Sequence, residues 1–442
     1  MTRTRTDAKK LVQKILAQAS FGDLRVRISE TTSGHTRFAR SQPTTKGDVE
    51  ELEIHVTAAK AGRHATVTGN RTDDAALAEL VRRAETLAEL SPVDPEHMPP
   101  LGPTSPPRVD AYDAKVADMG AKARVEIVEQ AIAAGKADAL EMSGFLEHGV
   151  SSTVVADRAG LFAHHVGTSL SLATTARTSD GTGSARRGHV SHTRRTLEPK
   201  SLAEEVARWA VRSKSPRPVD PGHYTVVLMP DAVADILSFF IGALDARSAA
   251  EGRSWFSAPG GNTKVGETIF APNVRAWSDP GDRAHPSVPF SNDGRVHRKV
   301  TWIEGGTLKA LTASRYWADK AGVPSVPRPG SFHMAGGNAS VDELIGEVDR
   351  GILVTRFWYN RMLEPRTILA TGLTRDGTFL IEGGAIAHPV KNLRYNESPV
   401  TVLRRLAAAG RPERAGLSTG RVMVVPPVVV EGFHFGSTSD AI

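Results

Sequence analysis

The sequence contains no cysteine. That removes disulfides, thiolate nucleophiles and cysteine-ligated zinc from this chain, and it fits a reducing compartment, so a cytoplasmic protein is expected. No apolar run approaches the roughly 18 residues of a membrane-spanning helix. The first ten residues, MTRTRTDAKK, lack the apolar stretch of a signal peptide and read as a basic lead into a helix. Neither sign of charge dominates: 55 Lys and Arg face 49 Asp and Glu, a net charge of +6. A charge this small on a long chain permits nucleic-acid binding without arguing for it. The dipeptide His-Glu is absent, so the chain has no helix of the zincin type. Phosphate loops are missing too. GTGSAR from Gly181 lacks the third glycine of a dinucleotide fingerprint, and Gly135-Lys136 lacks the first glycine of a P-loop.

What is present is patterned like an ordinary globular protein, with 40% hydrophobic and 24% charged residues over 442 positions. That length can bury a large core and holds two or three domains. Leu11, Val12, Ile15 and Leu16 repeat at helical spacing. The period then switches to two at Leu24, Val26 and Ile28, which predicts a half-buried strand. Ser33-Gly34 reads as a turn and Thr36–Ser41 as the return strand. A further hairpin follows through Leu52, Ile54, Val56 and Val67, and Asp73 caps a second helix. Ser91–Asp110 holds seven prolines in 20 residues, which excludes helix and central strand and predicts an extended connection. A helix, four strands and a helix then recur between Asp113 and Ser213.

The expected fold is α+β. An N-terminal domain over 1–213 reads as two similar antiparallel units, 1–90 and 111–213, joined by the proline-rich linker. SKSPRPVDPG at 213–222 marks the boundary. A C-terminal domain over 222–442 is predicted to be mainly antiparallel β, barrel-like or layered. It opens with a buried strand, Tyr224–Met229, and a helix over 231–249 with Asp231 as N-cap. Val233, Ile236, Leu237, Phe240 and Leu244 fill one face of that helix.

Candidate site residues are few. His148, His164, His165, His189 and His192 crowd one region, but His164 and His165 are adjacent in a strand and face opposite ways. Arg186, Arg187, Arg194 and Arg195 would repel a cation there. Arg37 and Arg40 are three residues apart in a predicted strand, so they project to opposite sides. One of them can meet a peptide carboxylate; plain surface arginines is the alternative. Gly383-Gly384 before the strand AIAHPV indicates close backbone approach and is a further peptide-binding candidate, with packing as the alternative.

Several stretches together resemble the TldD/PmbA protease family: Gly34–Ser41 (GHTRFARS), the strand and helix of 224–249, SRYWADKAG at 314–322, and FLIEGGAIAHPVKNLRYNES from Phe379. The family has two kinds of subunit. The TldD-like kind carries His-Glu, three residues and His on the helix after the central strand, and a late cysteine completes its zinc site. The PmbA-like kind, also called TldE, carries neither. The resemblance places the first His, the Glu and the second His at Ser238, Phe239 and Ala243, and the cysteine near Ser418-Thr419. It therefore implies a TldE-like chain with no catalytic or metal residues of its own and no cofactor. Its implied partner is a TldD-like zinc protease subunit that cuts unfolded peptides within a heterodimer. Two alternatives remain: a stand-alone DNA- or gyrase-associated binding protein, for which no recognition motif speaks, and a hydrolase with an unrecognised site using His164 or His192.

Overall fold

The computed structural model describes residues 2–416 and 422–439. The N-terminal half contributes α1 (Arg5–Ala17), β1 (Asp23–Ala39), β2 (Gln42–Lys60), β3 (Arg63–Gly69) and α2 (Asp74–Leu90). After the proline-rich connection come α3 (Ala114–Ala117), α4 (Ala121–Ala133), β4 (Glu141–Asp157), β5 (Phe162–Arg177), β6 (Ser184–Ser191) and α5 (Pro199–Arg212). All six strands form one antiparallel sheet in the order β3-β2-β1-β4-β5-β6. The first strands of the two units pair along their length, from Arg25 opposite Asp157 to Phe38 opposite Gly144. Each unit buries its own apolar cluster: Leu24, Val26, Ile54 and Val56 under α1 and α2, and Met142, Leu146, Leu170 and Leu172 under α4 and α5.

Each unit has three long strands where four shorter ones are predicted. Ser33-Gly34 is not a turn; β1 runs straight through it. The hairpin lies instead at Arg40-Ser41, both at positive φ (51° and 56°), with Ala39 opposite Gln42. Gly149 and Gly167 likewise sit inside β4 and β5. These glycines serve packing. A Cβ on Gly149 would stand 3.1 Å from the Thr32 carbonyl, and one on Gly167 3.3 Å from the His165 ring.

In the C-terminal half, β7 (Gly222–Leu228) leads into α6 (Pro230–Ala243). Met229 occupies the N-cap position and Pro230 the first helical one, so Asp231 lies inside the first turn rather than capping it. The helix stops at Ala243 and a separate short helix, Ala246–Ala250, follows. Strand β7 pairs with Arg350–Glu364 in parallel and with Val428–Thr438 antiparallel. Leu393–Glu397 and Leu369–Glu382 complete the ring, which closes as a five-stranded barrel because Leu369–Glu382 also pairs with Arg350–Glu364. A second, six-stranded sheet runs from Thr307–Leu308 to Glu413–Ala415. Helix α6 lies in the largest core, where Val233, Ile236, Leu237, Phe240 and Leu244 join Trp302, Phe357 and Phe433. No described helix is long and apolar enough to cross a membrane.

Candidate functional site

Helix α6 is anchored by two carboxylates in its N-terminal half. The Asp235 carboxylate, 1% exposed, accepts the Phe357 N–H at 2.9 Å, which ties the helix to the barrel. Asp231 Oδ1 accepts the Gly416 N–H at 3.3 Å, where the strand Glu413–Ala415 ends. Between these anchors and the helix end sit the residues that the family resemblance singles out. Ser238 is half-buried and donates to its own helix, at the Asp235 carbonyl, 2.7 Å away. Phe239 and Ala243 are half-buried and pack on the apolar core. A hydroxyl engaged with backbone, a phenyl and a methyl offer zinc no donor set. Among the described residues, no three His, Asp or Glu side chains converge on a point that would hold a metal ion. Ser418 and Thr419 lie outside the described residues. The pentapeptide Gly416–Gly420 has Gly-x-Ser-x-Gly spacing, but its flanks, Glu413–Ala415 and Met423–Val425, are antiparallel partners rather than a strand and a helix.

Edge strand β6 packs beside α5, Leu369–Glu382 and Glu413–Ala415, and its polar side chains form a seam near the N-terminal half of α6. Arg187 bridges Glu205 and Glu413, each at 3.1 Å. Arg356 pairs with Asp376 at 3.2 Å, and the same carboxylate accepts the Ser184 hydroxyl at 3.0 Å. Burial, reinforced by the nearby Arg356 charge, holds the Arg186 guanidinium below its usual value, while Asp231, Asp376 and Asp235 oppose that shift. None of these arginines stood out among the sequence-predicted site residues; their only signal was the Arg186-Arg187 pair.

The histidines divide by role. His148 is buried, with Nδ1 donating to the Val116 carbonyl at 2.9 Å and Nε2 accepting from Arg124 at 3.0 Å. Arg124, 1% exposed, also pairs with Asp48 at 2.7 Å. A Cβ on Gly34 would lie 2.1 Å from Arg124 Nη1 and 2.5 Å from His148 Nε2. The glycine that opens the GHTRFARS stretch is therefore a packing requirement. His164 meets Ser152 at 3.1 Å. Burial pushes His165 down to about 4 and His189 likewise to about 4, with Arg414 and Arg194 adding to the second. No pair of these histidines shares a hydrogen-bonded site among the described residues.

Arg37 is exposed on β1 and Arg40 is exposed in the hairpin turn, so the two do not project from opposite faces of one strand. Gly383-Gly384, at φ 58° and 73°, form the two-residue turn between Leu369–Glu382 and Ala385–Pro389. Their amides donate to the Asp349 and Val348 carbonyls, and a Cβ on Gly384 would meet the Gly346 carbonyl at 2.9 Å. The close backbone approach is real and serves the turn. The arginines belong to the N-terminal sheet and the glycines to the barrel sheet.

Three family profiles match in succession: PmbA/TldA metallopeptidase domain 1 over residues 24–88, its central domain over 114–214, and its C-terminal domain over 221–437. A curated relative from Methanothermobacter thermautotrophicus, named a metalloprotease, is 24% identical over 231 residues. That match covers 49% of this chain, and the chain spans about half the length of that relative. Among solved structures, TldE from Thermococcus kodakarensis superposes with a TM-score of 0.87 at 16% identity, covering 97% of this chain and 100% of the other. A Thermotoga maritima protein described as a modulator of a DNA gyrase gives 0.85 at 18%, covering 97% and 100%. A similarly described protein from Bacteroides thetaiotaomicron gives 0.84 at 20%, covering 98% and 99%. At these identities the structures speak for the fold alone.

Proposed function

This chain belongs to the TldD/PmbA metallopeptidase family, and on that premise we propose that it is the metal-free, TldE-like subunit of a two-subunit zinc protease acting on unfolded peptides. One observation supports the reading: α6 is regular from Pro230 to Ala243 and carries no metal donor at Ser238, Phe239 and Ala243, the positions that the resemblance aligns with the catalytic subunit's ligands and base. The zinc and the water it activates would then belong to a TldD-like partner. This chain's own contribution is to shape the chamber and hold substrate. Strand β6 ends its sheet, and a sheet edge takes up extended peptide through backbone hydrogen bonds with little regard to sequence. Arg186 beside that edge supplies positive charge. A cytoplasmic setting is part of the proposal.

Reconstitution tests it. The purified chain alone is expected to leave unfolded peptide intact. A mixture with a homologue that carries the His-Glu-x-x-x-His helix and the late cysteine is expected to cleave it, and a chelator to stop the cleavage. Chelator-sensitive proteolysis by this chain alone overturns the reading.

A further inference from the structure

A cavity of about 310 Å³ lies between the N-terminal sheet and the C-terminal domain. Its floor is the face of β1 and β2 turned away from α1 and α2. Leu24 and Val26 point into the helix-covered core, so the alternate residue Arg25, with Thr57 directly opposite it, points into the cavity. Ser314, Arg315 and Tyr316 form the roof, from the SRYWADKAG stretch to which the proposed function assigns no role. Met98, Pro99, Pro100 and Leu101 of the proline-rich connection make one apolar wall.

The carboxylates of this cavity are engaged, whereas two of its guanidiniums make no hydrogen bond among the described residues. Every carboxylate there already has a partner. Asp23 meets His97 at 2.9 Å, and Glu96 meets Arg247 at 2.7 Å. Asp94 accepts the Glu96 N–H at 2.8 Å. Asp157 accepts the Leu161 and Gly102 amides at 2.9 and 3.3 Å, and Asp293 pairs with Arg295 at 2.8 Å. The two other guanidiniums are left over. Arg25 and Arg315 are both half-buried, and among the described residues neither makes a hydrogen bond or an ion pair. They also feel each other. Burial holds the Arg315 guanidinium below its usual value, with Arg295 and Arg25 adding to the shift and Asp293 and Asp23 opposing it. Both guanidiniums keep free donors toward the cavity, and an anion between them would give those donors a charged acceptor.

We propose that this cavity is an anion subsite in which Arg25 and Arg315 take the terminal carboxylate of a peptide. The assignment rests on the peptide reading above. A carboxylate fits better than a phosphate because it brings one negative charge to a cavity already ringed by carboxylates, and its two oxygens match the planar fork of a guanidinium. The apolar wall at Met98–Leu101 receives the last side chain of the peptide.

The test is calorimetric titration of the full chain with an N-acetylated peptide ending in a free carboxylate, the same peptide amidated, and inorganic phosphate. The free acid is expected to bind roughly tenfold or more tightly than the amide. Arg25→Gln and Arg315→Gln should each abolish that preference while leaving amide binding unchanged. Because neither guanidinium makes a hydrogen bond or an ion pair among the described residues, both variants should melt within about 2 °C of the parent, which separates lost binding from lost folding. Equal affinity for acid and amide, a variant that keeps the preference, or no binding of any of the three probes overturns the subsite. Phosphate binding tighter than the free acid overturns the carboxylate assignment. None of these outcomes touches cleavage by the reconstituted pair, which tests the peptide reading separately.

Discussion

Two stretches that carry the family resemblance behave in opposite ways. At Gly34 the missing side chain makes room for chemistry that is structural: Arg124 of α4 lies against β1 at this glycine and reaches His148 and Asp48. Along α6, at the positions that the resemblance aligns with the catalytic subunit's ligands, Ser238, Phe239 and Ala243 are half-buried side chains that pack or bond locally. The first stretch is polar and buried, with no room for a side chain at Gly34. The second is half-buried and offers no polar cluster. A signature residue can thus mark a packing constraint as readily as a reaction, and only its surroundings tell which.

The sharpest way to break this contrast is Gly34→Ala. The added Cβ would stand 2.1 Å from Arg124 Nη1, 2.5 Å from His148 Nε2 and 2.7 Å from Asp48 Oδ1. Arg124 already has Nε and Nη2 buried without a partner, so displacing Nη1 removes the contacts that compensate its charge. A loss of about 3–5 kcal/mol is expected in denaturant unfolding. A loss below about 1 kcal/mol would mean that the arginine swings aside and that the glycine is not a packing requirement.

Acid should weaken the same cluster next. Burial is the main cause holding His148 below its ordinary value, and the Arg124 charge adds to it, against the Val116 carbonyl and Asp48. A histidine depressed in the fold takes up its proton more readily when unfolded. Its stabilising contribution is therefore complete above the unfolded value near 6.5 and is lost as pH falls below it. Protonation also ends the acceptor role of Nε2 toward Arg124, at about 1–3 kcal/mol for an unmet buried group. His165, held down to about 4 by burial, acts in the same direction. Melting curves from pH 7 to pH 5 on the parent and on His148→Gln measure the effect. The variant should lose less stability over that interval; an equal loss would remove His148 from the account.

Much of the architecture is legible from residue pattern alone. The period-two runs through Val26 and Ile54, the helix face of Val233 to Leu244, the proline-rich connection and the β-rich C-terminal half all follow from spacing. The errors share one cause. Gly34 looks like a turn residue, yet it lies inside β1 because a side chain there would strike Arg124 and His148, brought close only by the folded sheet. Conversely, the turn at Arg40-Ser41 carries no glycine, so its positive φ angles leave no trace in the sequence. The candidate site was less legible. Arg25 and Arg315 are 290 positions apart in the chain, and nothing in either local pattern announces that the other one faces it. The same is true of Arg186 and the carboxylates of α6.

Along α6, Ser238→His, Phe239→Glu and Ala243→His made together should cost less than the glycine change. Phe239 is only half-buried, so a glutamate there can turn its carboxylate toward water, and about 1–3 kcal/mol is expected from lost packing. Positions 238 and 243 lie about 140° apart on a regular helix, and α6 has no widened turn between them. Tight zinc binding and peptide cleavage are therefore not expected. Zinc titration and a cleavage assay on the triple variant check this. A variant that binds zinc tightly and cleaves would show that α6 is a nearly intact active site and that the contrast drawn here is false.

The smallest effect is expected at the hairpin that Gly34 concealed. Arg40 is exposed, with φ of 51°, in a two-residue turn that joins β1 to β2. Such turns favour Asn or Gly because a Cβ crowds the backbone at positive φ. Ser41 cannot be exchanged freely, since its hydroxyl accepts the Met142 N–H at 3.0 Å and its own amide donates to the Met142 carbonyl at 2.9 Å. Arg40 makes no hydrogen bond or ion pair among the described residues, so Arg40→Gly should relieve strain without removing a contact. A gain of about 0.5–1 kcal/mol is expected, reduced somewhat by the greater freedom of glycine in the unfolded chain. Denaturant midpoints measure that gain, and peptide affinity measured on the same variant separates turn strain from recognition. Unchanged affinity with raised stability makes Arg40 a strained turn residue. Weakened affinity at equal or higher stability would mean that the strain is kept because the arginine meets the peptide, and the hairpin would then stand beside the Arg25–Arg315 cavity as a second point of peptide contact.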